Sequence, residues 1–210
     1  MKKMTSTLLG WLTLVTGLVG SLCLITLLLF FIGLFQNISA LSSLGSVNDG
    51  LNALAGILSA ILATVLFAVM GRANTPTGTI LVVGTWVGAI AIAYGSWLIV
   101  TGRSGVERSG YYYIFGNGLI GLWLWSLNRR ALQEEILPPG LARWGRVTAG
   151  LMLFGLPALV GILQVWDGNM FSPLLLITGI SYIGIAILYP IWCLRLGRWF
   201  FSNQKELIYE

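Results

Sequence analysis

Tyr94, Asn117, Gln164, Ser181 and Tyr182 are uncharged polar side chains set in long apolar runs, with Thr178 beside the last two. Counting 1.5 Å per residue from the ends of those runs places them in one leaflet, with Asn117 about 10 Å below the outer end of its own run. Hydroxyl and amide groups at a shared depth could line a small outward-facing pocket for a polar solute. They could equally bond across helix contacts, each such bond worth well under about 2 kcal/mol. The chain has no histidine, which excludes histidine-ligated haem or zinc and His-based acid–base chemistry within it. Asp49, Glu107 and Asp167 fall in three separate outer loops, a pattern of solvated carboxylates rather than a metal or catalytic cluster. Cys23 and Cys193 lie apart, form no CxxC motif and read as small apolar packing residues. Neither a metal nor a cofactor is expected.

The elements that must position these groups follow from composition. Of 210 residues, 57% are hydrophobic and 9% charged, whereas a soluble domain carries about 25% charged residues. The bilayer is the solvent that fits. A net charge of +5 does not point to nucleic acid, because the basic residues are scattered among short loops instead of gathered in a patch. Runs of about 20 apolar residues, the length that crosses about 30 Å of hydrocarbon, occur near 8–35, 51–70, 79–101, 110–127, 147–166 and 174–194. The expectation is a single all-α transmembrane domain over 1–210, a polytopic bundle of six helices. The first run is nearly twice the length of a secretory h-region, so it reads as a retained span behind Lys2 and Lys3.

Orientation follows from Lys and Arg. Lys2, Lys3, Arg72, Arg129, Arg130, Arg143, Arg146, Arg195, Arg198 and Lys205 fall on one side of six spans, against Arg103 and Arg108 on the other. The positive-inside rule then makes both termini cytoplasmic, in a plasma membrane of the bacterial inner type. Every charged residue is placed in a loop, a tail or a span end. In the longest loop, 128–146, Leu132 and Ile136 share a helical face and Trp144 could anchor a short interfacial helix; a solvated connector is the alternative.

Small residues suggest where helices meet. Gly84 and Gly88 form a GxxxG spacing, continued by Ala91 and Gly95, while Gly116, Gly118 and Gly121 flank Asn117 and should bring a neighbour close enough to satisfy its amide. Pro157 removes a backbone donor in mid-span and is expected to kink it. A shift of 95 residues aligns Thr77–Arg103 with Ser172–Arg198, matching Gly84/Gly179, Tyr94/Tyr189, Trp97/Trp192, Gly102/Gly197 and Arg103/Arg198. Either an inverted repeat, as in many carriers, or convergent interface chemistry accounts for it.

The stretches "SLNRRALQEEILPPGLARWGRVTAGLML" and "GISYIGIAILYPIWCLRLGRWF" resemble a family of bacterial six-span membrane proteins whose activity is uncharacterised. Shared features are a basic cytoplasmic stretch, a Pro before an apolar-aromatic turn, and a Trp-containing, basic-ended last span. The resemblance implies the bundle and carries over no functional residues. Three classes of function are then open: a non-enzymatic interaction, sensor or assembly protein with a protein partner or a second copy in the membrane; a permease for a small solute or lipophile; and a membrane enzyme working through Tyr, Arg or loop carboxylates. Membrane lipid is the expected partner in all three.

Overall fold

The computed structural model describes residues 2–41, 43–69, 76–163 and 178–203, and among these all regular structure is helical. The helices are α1 (Lys2–Phe35), α2 (Leu44–Val69), α3 (Pro76–Val100), α4 (Val106–Gln133), α5 (Pro139–Leu153), α6 (Ala158–Leu163) and α7 (Tyr189–Ser202), with a 3₁₀ turn at Ser39–Leu41 and a π-helical stretch at Ile183–Leu188. Among the described residues, five stretches are long and apolar enough to cross a membrane: Ser6–Phe35, Ser39–Val69, Pro76–Val100, Pro139–Leu163 and Thr178–Ser202. The fourth expected span, now α4, has the length, with 28 residues, but not the apolarity. Tyr111, Tyr112, Tyr113, Asn117 and Asn128 lower it.

The place of α4 explains how it tolerates that composition. Each of α1 to α4 packs on the next in the chain, and α4 lies between α3 on one side and α5–α6 on the other. Gly88 of α3 meets Gly116 and Gly95 meets Ser109, so α4 runs back along α3; Gly121 meets Met152 and Gly118 meets Leu156 on the opposite side. Tyr111, Ile114, Asn117, Ile120, Trp123, Leu124 and Asn128 are buried as a result. α7 closes against α1, where Gly17 meets Leu194 and Gly20 meets Pro190. The Ser6 hydroxyl donates to the Phe200 carbonyl at 3.2 Å, so the start of α1 and the end of α7 share one end of the bundle.

Helix ends are set by local chemistry and shift several expected boundaries. Asn37, Gly102 and Glu135 adopt positive φ of 55°, 65° and 54°. The amide after each reaches back five residues, Ile38 to Gly33, Arg103 to Leu98 and Ile136 to Ala131, the Schellman arrangement that caps helix carbonyls. The third cap corrects the reading of the 128–146 loop. "RRALQ" is the continuation of α4, not a separate interfacial helix or a coil. α5 starts at Pro139, where a missing N–H costs nothing because it is in the first turn. α2 likewise starts at Leu44 instead of near 51.

Two prolines break regularity in the second half. Between α5 and α6, Phe154–Pro157 form turns with i→i+3 bonds such as Leu156 to Leu153 and Ala158 to Gly155, which is the break expected at Pro157. Before α7, the Tyr189 amide bonds the Gly184 carbonyl five residues back. Pro190 follows directly: its ring would crowd the carbonyl four residues earlier, and the wider π turn relieves that contact.

Candidate functional site

Among the described residues, no contact joins the side chains of Tyr94, Asn117, Ser181 and Tyr182 into one pocket. Tyr94 is exposed on the outer face of α3, packing on Tyr112 at 5.1 Å and Trp97 at 5.7 Å between ring centres, away from Asn117. Ser181 and Thr178 are fully buried, and the Ser181 hydroxyl donates to the Thr178 carbonyl of its own helix. Gln164 lies outside the described residues. Asn117 is buried at 6% exposure, and its Nδ2 donates to the Tyr113 carbonyl one turn back at 2.9 Å. The glycines around it do bring neighbours close. A Cβ on Gly88 would sit 2.5 Å from the Gly116 carbonyl oxygen, one on Gly118 2.9 Å from the Leu156 nitrogen and one on Gly121 2.8 Å from Met152. Gly116 and Gly118 are about 200° apart on the helix, so one serves α3 and the other α5–α6. Gly84 has nothing within 4 Å; the close contacts of α3 come from Gly88 and Gly95.

Tyr182 finds a different partner. Its ring packs against Tyr113 of α4, centres 5.8 Å apart. Asp49, in the second turn of α2, is close enough for its charge to act on both phenols. Beside it, Asn48 is buried and its Oδ1 lies 3.2 Å from the Thr26 hydroxyl of α1. Thus α1, α2, α4 and the last helix bring together a carboxylate, an amide, a hydroxyl and two phenols at one end of the bundle. Among the described residues no three of His, Cys, Asp and Glu are grouped as metal ligands. One carboxylate with phenolic neighbours suits a single cation or a protonated amine, held by charge and hydrogen bonds.

Asp49 and Asn48 were missed because the continuous apolar run begins only at Leu51. The signal was present: Leu44, Val47, Leu51 and Leu54 already follow helical spacing, which carries α2 through Asn48 and Asp49. The same misplacement hid Arg146, which lies in the third turn of α5 instead of at a loop end. Charge therefore does enter the helical stretches, at both ends.

Most other buried polar groups turn inward on their own helices. Thr13, Thr16, Ser59, Thr85, Asn117, Asn128 and Thr148 each bond a carbonyl four residues back, the back-bonding available to short polar side chains in a helix. Tyr189 is an exception, donating to the Ser59 hydroxyl of α2 at 2.9 Å in the core. No family model, curated protein or solved structure matches the chain.

Proposed function

We propose that the chain is a six-span protein of the bacterial inner membrane, both termini cytoplasmic, that acts as a non-enzymatic interaction or assembly component. The observation that carries this is how polar groups are disposed across α3, α4 and α5. Buried hydroxyls and amides bond their own helix carbonyls, and glycines press backbone on backbone between those helices. A permeation path needs polar groups facing a shared lumen; here they face the helix that bears them. Antiparallel packing of α4 along α3 supports counting α4 as a sixth crossing, and the ten-to-two Lys/Arg asymmetry supports the orientation. The resemblance of the C-terminal half to bacterial six-span proteins supports the location.

Native mass spectrometry of the protein released from nanodiscs tests the role. A discrete homo-oligomer, or a stoichiometric complex with one co-purified protein, is the expected result. A monomer that conducts small solutes into proteoliposomes would replace this reading with the second one, a permease. That second reading is favoured by one observation, the Asp49 carboxylate in the neighbourhood of the packed Tyr113–Tyr182 pair. Under it, Asp49→Asn abolishes flux while leaving the fold intact.

A further inference from the structure

Where α4 gives way to α5, the seam between the two helices carries arginines, and among the described residues no carboxylate bonds the most central of them, Arg146. The Arg146 guanidinium lies 4.9 Å from the centre of the Trp125 ring on α4. The ring attracts the cation but offers no oxygen to its forked donors. Arg146 Nε is buried without a hydrogen-bond partner, a costly state for a charged donor. Of the two carboxylates just past the end of α4, Glu134 pairs with Arg130 at 2.6 Å, and Glu135 stands exposed beyond the helix cap.

Two more arginines border the groove by helical register. Arg129 stands one turn beyond Trp125 on α4, and Arg143 just under one turn before Arg146 on α5; both are exposed. The helices approach closely here because Gly145 packs directly on the Asn128 side chain. On the other side of Trp125 and Arg146 the groove continues past Leu122 and Val147, both exposed and apolar. Cations at one end and exposed aliphatic surface at the other match an amphiphile with an anionic head.

We infer that this groove binds the phosphate of an anionic phospholipid headgroup, with Arg146 as the central donor and Arg129 and Arg143 flanking it. Arg forks match phosphate oxygens in paired, short hydrogen bonds, and basic pockets between transmembrane helices take lipid headgroups. Lipid is preferred to free phosphate because Leu122 and Val147 supply a bed for acyl chains. The inference rests on the membrane-spanning reading and not on the interaction role; recovery of the protein in reconstituted vesicles checks the former separately.

The test is lipid retention. Full-length protein is reconstituted in vesicles of equal phosphatidylglycerol and phosphatidylcholine, extracted in mild detergent and weighed by native mass spectrometry. The wild type should retain phosphatidylglycerol over phosphatidylcholine by about tenfold or more, since each arginine near the surface contributes about 1 kcal/mol. Arg129→Gln with Arg146→Gln should remove most of that preference, whereas Arg103→Gln, which takes a guanidinium from over Trp97 at the other end of the bundle, should leave it unchanged. Equal retention of the two lipids by the wild type overturns the inference, as does an unchanged preference in the double variant. Displacement of retained lipid by millimolar inorganic phosphate would overturn the lipid assignment in favour of a free-anion site. If the double variant fails to fold, Arg129→Gln with Arg143→Gln alters only exposed side chains and should lower the preference severalfold; an unchanged preference there overturns the three-arginine site.

Discussion

At the scale of single residues, Asn117 shows what spacing reveals and what it hides. Its flanking glycines mark close helix approach, and the structure places Gly116 against α3 and Gly118 against α5–α6. The partner of the amide was not legible, because a carbonyl on its own helix and one on a neighbour lie within reach of different rotamers of one side chain. Its bond to Tyr113 is local, so Asn117→Ala should cost only about 1 kcal/mol. Gly118→Leu should cost more, because even the first carbon of a side chain meets the Leu156 backbone and the helices must part. Chemical or thermal unfolding in detergent ranks the two, and a larger loss for the alanine variant would refute this packing role. Asp49 is the opposite case: its type was plain but its place was not, since the helix that holds it begins before its apolar run does.

Elements were legible wherever hydrophobic length alone defines them and less so at their ends. α1 and α3 match their expected spans to within a turn or two, but caps decided the ends of α1, α3 and α4. Glu135 holds a left-handed φ of 54°, which costs a residue with a Cβ roughly 1–2 kcal/mol and a glycine little. Glu135→Gly should therefore stabilise the protein by up to about 1 kcal/mol, seen as a raised melting temperature; a clear loss of stability would mean that the Glu135 side chain contributes more than its backbone strain costs. The 95-residue alignment fails at this scale. Tyr94 and Trp97 are exposed on α3, while their matches Tyr189 and Trp192 are buried in the core, and Trp192 is 0% exposed. α3 is regular throughout, and its counterpart carries a π-helical stretch. The two segments share residue types without sharing burial.

For the whole molecule, charge distribution and antiparallel packing bear on the same quantity. Reporter fusions after Ser39 and at Glu210 should fall on opposite sides of the membrane, as six crossings and a cytoplasmic C-terminus require; two reporters on one side would end the six-span reading. The helix that decides this count is α4, the least apolar and the most enclosed. Insertion machinery weighs each segment as it emerges, and amides and span-end arginines weigh against release into lipid. α4 presents Tyr112 to α3, and Tyr111 and Asn128 to α6 and α5, neighbours that flank it in the chain. In biogenesis it would then depend on α3 already being in place, the two entering as a hairpin, with the glycine seam between them formed during synthesis and not after it.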